Sequence, residues 1–412
     1  MKFERLGNIV EIIGGNAAPK GDNAFGNEGL PFVKMKDLGD RHLTNNLIEI
    51  ENLVSDSVAK KNRLKVVKKG SILLPRSGSV GLNHRAILGV DAYMVSHICA
   101  LEIKNVREVL NQYLYYYLTT INFNSITKKT TGLDAITFQD LAKVVVPLPS
   151  LFDQLHIANI LSRAENLIAQ RKESIRLLDE YLKSTFLEMF GNPVSNKKDW
   201  ALLTVLEIGD SRLGKMLDGK KIIGNNLKPY LRNSNVLWFN FKLDDLLEMD
   251  FDEKDRLEFT LKFGDILMCE GGEIGRCAIW KNELKECYFQ KAIHRIRLNR
   301  ELALPEYFVY MFWLYASQGG LKKFMGAATI SHLTGEKLKK MKLPIPPIEL
   351  QNQFFNIVEK TEVLKTQYQN SLQELENLYG SLSQRAFKGE LNAKDEEMLM
   401  AAEPQEDYIT KQ

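Results

Sequence analysis

The longest regular pattern of apolar positions begins at a proline-bounded strand end, Val144-Val145-Val146-Pro147-Leu148-Pro149, and continues to Phe190. Leu161, Ile168, Ile175, Leu182 and Met189 recur every seven residues, with Ala164 and Leu178 on the offset positions. This is an a/d-like seam, interrupted on its second line by Arg171 and Thr185. No Gly or Pro follows Pro149 until Gly191-Asn192-Pro193, a strong stop. The pattern predicts a helix of roughly 38 residues, about 57 Å long. It is too charged for a membrane and too long for an ordinary globular helix, so it needs a partner helix.

A second copy follows. From Leu343 the chain again passes a proline bracket, Pro344-Ile345-Pro346, and enters a long apolar repeat. Phe354, Tyr368, Leu375 and Leu382 lie on one seam line; Ile357, Leu364 and Leu378 lie on the other. Thr361, Ser371 and Arg385 are polar intrusions. Pro147-Leu148-Pro149 and Gln154 recur as Pro344-Ile345-Pro346 and Gln351, 197 positions later. Alone, either helix reads as a coiled-coil arm; together they predict an antiparallel pair, with the polar positions fixing register or reserved for a partner.

The duplication reaches beyond the helices, and a repeat fixes architecture before any single motif does. Pro31-Phe32-Val33-Lys34 answers Pro229-Tyr230-Leu231-Arg232, and Lys69-Gly70-Ser71-Ile72-Leu73 answers Phe263-Gly264-Asp265-Ile266-Leu267. Each of these strands leads to a glycine-rich turn, Arg76-Ser77-Gly78-Ser79 in one half and Glu270-Gly271-Gly272-Glu273 in the other. Tyr113–Tyr117 answers Tyr307–Met311, Lys128–Gly132 answers Lys322–Gly326, and Ile136-Thr137 answers Leu333-Thr334. Short β-type runs between glycine turns predict curled strands, and the aromatic runs predict core-facing helices. The boundaries expected are a globular unit over 1–146, a long helix over 147–191, a second unit over 192–343, a second helix over 344–391, and an acidic flexible tail over 392–412. The globular units are expected at opposite ends of a rod, related by a pseudo-two-fold axis.

Composition narrows the class. The 412 residues carry a net charge of +3, too small to establish a nucleic-acid partner by itself. The tail after Asn392 is acidic, so the body is more basic than the total indicates. No run approaches about 18 uncharged apolar residues, and Met1-Lys2-Phe3-Glu4 opens no signal peptide, so a cytoplasmic protein with no membrane partner is expected. The four cysteines, Cys99, Cys269, Cys277 and Cys287, form no C-x-x-C pair, and reduced thiols with no metal site are expected. Gly209–Lys215 has phosphate-loop spacing but ends in Met216, where a Ser or Thr hydroxyl should reach magnesium; a turn with a solvated lysine fits better. Pro346-Pro347 follows Ile345 instead of the Asn or Asp that an amino-methyltransferase needs. No hydrolase, zinc-protease or methyl-donor pattern is present, so the chain is expected to be non-catalytic.

Binding chemistry is better represented. Lys128 and Lys129, followed by Thr130, and Lys322 and Lys323 precede a glycine in each half; each pair is either a solvated charge pair or a phosphate contact. Arg76, between Ser77 and Ser79 on its turn, is either a forked donor for guanine or a salt-bridge partner. Lys34 and Lys36 follow the first Pro-Phe-Val strand. Arg232, Asn233, Asn235, Gln290, Lys291 and His294 carry the right functional groups for base edges and phosphates.

The P-L-P-x-x-x-x-Q opening of a long helix, its close at Met189-Phe190-Gly191-Asn192-Pro193, and the repetition of the whole unit resemble the specificity subunit of type I restriction–modification systems. The Gly-[Asp/Ser]-Ile-Leu strand and glycine-rich turn are similar to that family's target recognition domains. The resemblance covers essentially the chain to about Leu391. It implies an α+β fold: two mixed α/β target recognition domains, each a curled β-sheet with helices, separated by two long antiparallel coiled-coil helices. It further implies a reader of split double-stranded DNA sites that docks two adenine methyltransferase subunits, with restriction/translocase subunits joining the complex. S-adenosylmethionine, ATP and Mg2+ would then sit on partner subunits and none on this chain. Leu161, Ile168, Ile175, Leu178, Leu182, Phe354, Ile357, Leu364, Leu375 and Leu382 are the candidates for helix pairing and partner docking. A coiled-coil scaffold without DNA specificity is the alternative, and a single-chain restriction–modification enzyme a third reading.

Overall fold

The computed structural model describes residues 2–21, 24–40, 46–78, 80–82, 84–126, 135–216, 224, 226–324, 332–391 and 393–402. The two long seams are helices, Leu151–Phe190 and Ile348–Lys388, about 60 Å each at 1.5 Å per residue. Ser150 opens the first by accepting the Asp153 N–H at 3.2 Å, satisfying a donor that the first turn leaves free. Both end at a glycine in the left-handed region, Gly191 and Gly389, each with φ +77°. The Lys198 ammonium then donates to the carbonyls of Glu188 and Met189, covering the negative end of the first helix.

The chain divides into two compact units. Unit 1 comprises Met1–Lys172 and Asn370–Gln412, and unit 2 comprises Glu173–Gln369, so each unit takes one stretch of each long helix. In unit 1, a four-stranded antiparallel sheet runs in the order Val10–Gly14, Ile98–Ile103, Ile72–Pro75, Ala86–Ile87. A three-stranded sheet follows, with Leu30–Val33 central, Leu53–Val54 antiparallel to it and Tyr93–Met94 parallel. A two-stranded ribbon pairs Lys2–Arg5 with Val145–Leu148.

Unit 2 repeats every part. Its four-stranded sheet runs Gly209–Leu213, Ile293–Leu298, Ile266–Cys269, Cys277–Ile279. Its three-stranded sheet has Leu227–Leu231 central, with Leu247–Asp250 antiparallel and Tyr288–Phe289 parallel. Its ribbon pairs Ala201–Thr204 with Lys342–Ile345. Gly70 and Gly264, at matching positions before the strands Ile72–Pro75 and Ile266–Cys269, have φ +89° and +90°. A side chain would be strained there, which is why glycine stands at both places.

Hydrophobic burial joins helix to sheet within each unit. In unit 1, Leu161, Ala164 and Leu167 from the first long helix and Leu375, Leu382 and Ala386 from the second share a core with Tyr113, Tyr115 and Tyr116. Ile168 and Leu378 pack against it, half-buried. In unit 2, Leu182, Phe186 and Phe190 meet Phe354 and Val358 over Tyr307, Phe308 and Phe312, with Ile357 packed alongside. Ile175, Leu178 and Leu364 are half-buried. The pairing is antiparallel in both units: Lys172 bonds Glu376 at 2.9 Å and Tyr379 reaches Glu165, while Lys365 bonds Asp179 and the Phe186 ring meets Phe354 edge-on.

Two expectations change. The acidic flexible tail expected over 392–412 contains a helix, Ala393–Ala402, whose Leu399 is buried in the unit 1 core and whose Asp395 pairs with Arg385. The apolar spacing of Leu399 was outweighed in the sequence by the surrounding carboxylates. Residues 403–412 lie outside the described residues. Gly209–Leu213 is a strand instead of a turn, and Lys215 is not solvated; its ammonium donates to the Asp250 carbonyl at 2.6 Å and pairs with Asp255. Among the described residues no helix is long and apolar enough to cross a membrane.

Candidate nucleic-acid interface

The glycine-rich turns are built identically in the two units. In unit 1, Arg76 donates its N–H to the His97 carbonyl at 2.7 Å and accepts from the Ile136 N–H at 2.9 Å. In unit 2, Glu270 donates to the Ala292 carbonyl and accepts from the Leu333 N–H, both at 2.9 Å. Each turn is therefore pinned between the strand-connecting turn on one side and the segment leading into the helix bracket on the other. Ser77 and His97 Nδ1 approach to 2.6 Å, and Asn233 Nδ2 donates to the Gly271 carbonyl at 2.7 Å, so a side chain braces each turn. Gly78 (φ +85°) has open space where a Cβ would stand. The backbone there can approach a ligand closely.

For Arg76, no salt bridge is seen among the described residues. Its guanidinium lies 4.7 Å from the Phe138 ring and makes no ion pair. Glu270, at the same position of the repeat, has no hydrogen-bond or ion-pair partner for its carboxylate among the described residues.

The other sequence candidates separate by burial. Lys34 donates to Asn52 at 2.6 Å and lies 4.1 Å from the Phe25 ring; Lys36 is exposed, 4.0 Å from Glu51. Lys291 and Lys322 are exposed, and Gln290 is half-buried. Arg232 is engaged with Asp245 at 3.1 Å and its carbonyl at 2.6 Å. Asn235 is fully buried and bonds Lys242 and Asp245, so it holds a turn and cannot reach a base. His294 is likewise 0% exposed, with Nε2 3.0 Å from the Leu333 carbonyl. Burial drives its pKa below the usual 6.5, against the opposing pull of that carbonyl and of Glu270. Asn235 and His294 thus leave the set of base-reading candidates. Ser79, Lys128, Lys129 and Thr130 lie outside the described residues, as does the Lys323 side chain.

Of the helix-pairing candidates, Leu161, Leu375 and Leu382 are buried in the core of unit 1, and Leu182 and Phe354 in that of unit 2. Thr361, one of the polar intrusions, is buried and bonds the Ile357 carbonyl of its own helix at 2.8 Å.

Two features escaped the sequence. Gln154 and Gln351 are fully buried clamps. Gln154 accepts from the Leu110 N–H and donates to the carbonyls of Glu108 and Pro149; Gln351 does the same with Leu304, Leu302 and Pro346. The recurrence of glutamine was visible, its function was not. The second is an exposed aromatic turn in unit 2, with Phe239 at φ +65°, a conformation a bulky residue adopts rarely. Beside it, a groove of about 710 Å³ is bordered by Trp238, Glu273, Trp313 and Lys322. Its sequence signal was the aromatic cluster Trp238-Phe239-Asn240-Phe241.

All four cysteines are buried, and burial pushes Cys99 and Cys287 up to about 12. Among the described residues no cluster of His, Cys, Asp or Glu could hold a metal.

Comparison with known proteins accounts for the repeat. The model of the type I restriction modification DNA specificity domain matches residues 1–177 and again 197–377. The specificity subunit of the type I restriction enzyme MjaVIII from Methanocaldococcus jannaschii is 23% identical over 354 residues, covering 80% of this chain and 82% of that protein. Two solved structures share the fold. One, from work on complex assembly and conformational transition of the type I R-M system, has a TM-score of 0.60 at 16% identity and covers 95% of this chain and 98% of that one. The other, a type I restriction–modification S subunit from M. genitalium, has a TM-score of 0.53 at 15% identity, over 94% of this chain and 96% of that one. With two copies of the domain spanning most of its length, the chain belongs to the type I restriction–modification DNA specificity family, as a specificity subunit.

Proposed function

We propose that this specificity subunit reads a bipartite double-stranded DNA site, one half with each unit, and docks two adenine methyltransferase subunits, with restriction subunits joining the same complex. The observation that carries the reading is the duplication itself. Each unit presents a glycine-rich turn clamped by the same two backbone hydrogen bonds, and the sequence of each half carries a lysine pair, Lys128-Lys129 and Lys322-Lys323. Lysines supply affinity that does not depend on sequence, and groups on the turn supply discrimination. Half-sites on one DNA face recur about 34 Å apart, and each long helix measures about 60 Å.

The chain itself does no chemistry in this reading. S-adenosylmethionine, ATP and Mg2+ act on the partner subunits, and the protein works in the cytoplasm, where its DNA is. The sequence has no glycine-rich strand–turn–helix for a methyl donor, and Ile345 stands before Pro346-Pro347 where an amino-methyltransferase has Asn or Asp, which supports the assignment of methyl transfer to a partner. The scaffold alternative differs in one respect: a scaffold has no salt-dependent affinity for DNA. The test is binding of the purified partner complex to duplex DNA over a salt series. The reader predicts affinity falling steeply as salt rises, and no measurable binding at low salt would refute it.

A further inference from the structure

Both reading turns carry one charged side chain at the same structural position, and the charges are opposite. Arg76 and Glu270 each follow the last residue of the matching strand, and each is bracketed by the same pair of backbone bonds. Both are half-buried, and neither has an ion pair among the described residues. Burying part of a charge without a partner costs free energy, so chance retention at both equivalent positions is disfavoured. Polar groups close to the two turns are engaged with other partners. Ser77 is held by His97, and Arg276, near the second turn, donates to the Asn233 carbonyl at 2.8 Å and to Glu273 at 3.2 Å.

We infer that Arg76 and Glu270 are specificity-determining residues of the two units, reading complementary base chemistry. The inference rests on the reading that each unit recognises one half of a split DNA site. The Arg76 guanidinium, its face held by Phe138, offers a flat fork of donors that matches the O6 and N7 acceptors of guanine. The Glu270 carboxylate offers only acceptors, and the major-groove group it suits is the N4 amine of cytosine. Unit 1 therefore requires a guanine, and unit 2 requires a cytosine, at one position of each half-site. The open space beside Gly78 and the left-handed Gly272 (φ +71°) let both turns approach a groove.

The test is methylome sequencing of cells expressing the whole chain with its methyltransferase partner, comparing wild type with Arg76→Lys, Arg76→Ala and Glu270→Gln. Arg76→Lys keeps the charge and loses the fork, so it guards against a variant that merely fails to fold. The expected result for both Arg76 variants is a loss of about tenfold or more in preference for one guanine, confined to one half of the motif. Glu270→Gln should transfer preference at one position of the other half from cytosine to adenine, which a glutamine amide pairs bidentately. A motif unchanged letter for letter in all variants would overturn the inference, and so would a uniform fall in methylation with every base preference retained. A wild-type complex that methylates without any two-part motif would overturn the underlying reading and the inference with it. The two failures are distinguished by whether the wild type itself has a split motif.

Discussion

Replacing Gln351 with alanine tests whether the repeated glutamine holds the helix bracket in place. The side chain is fully buried and makes three hydrogen bonds, from Leu304 N–H at 2.9 Å and to the carbonyls of Leu302 at 3.0 Å and Pro346 at 2.8 Å. At about 1 kcal/mol net per bond the loss is about 3 kcal/mol, and backbone groups left without partners raise it toward about 5 kcal/mol. All four tryptophans, Trp200, Trp238, Trp280 and Trp313, belong to unit 2. Intrinsic fluorescence in a urea titration of the full chain therefore reports the unit that contains Gln351. The expected outcome is a shift of that transition equivalent to about 3–5 kcal/mol. Asn352→Ala, which removes one exposed bond to the Ile348 carbonyl, should change it by less than about 0.5 kcal/mol. A shift below about 1 kcal/mol for Gln351→Ala would show that the bracket does not depend on this clamp.

Three further outcomes follow from the packing and the burial. Phe186→Ala should cost unit 2 about 3–5 kcal/mol in the same titration, because Phe186 is fully buried among Phe190, Tyr307 and Phe354 with ring centroids 4.8–5.6 Å away. His294 has its pKa depressed below 6.5 in the folded protein, so the unfolded chain binds the proton more readily. Its contribution to stability is therefore present above the unfolded value and is lost as pH falls from about 6.5 toward the lower folded value; His294→Gln should flatten that slope in unit 2. The four thiols should resist a disulfide reagent at pH 8 in the native protein and react together only in denaturant, since burial raises each of them above the ordinary thiol value.

The architecture was readable because duplication makes weak signals agree. A proline bracket or a Gly-Asp-Ile-Leu strand alone says little, but their ordered recurrence points to two equal units, and both sheets repeat strand for strand. The long helices were readable for a different reason: a seam of Leu161, Ile168 and Leu182 sustained over many turns has few alternatives to a paired helix. The site was less legible because polar residue types do not reveal which way they face. Asn235 and His294 looked like base readers and are interior bracing, whereas Gln154 and Gln351 were visible as a repeated motif residue but not as the buried clamps they are. Lys215 followed a phosphate-loop spacing, yet Asp250 and Asp255 take up its charge from 35 and 40 residues away, contacts that no local pattern encodes. The helix at Ala393–Ala402 was hidden by its own carboxylates, one of which, Asp395, is buried against Arg385.

The central claim is that the two units read the two halves of a DNA site independently. The most direct measurement exchanges residues 1–143 for those of another specificity subunit, co-expresses the chimera with the methyltransferase partner, and maps methylated adenines across the genome. The account predicts that one half of the recognised motif changes while the other half stays as in the parent. A change in both halves, or in neither, would contradict it.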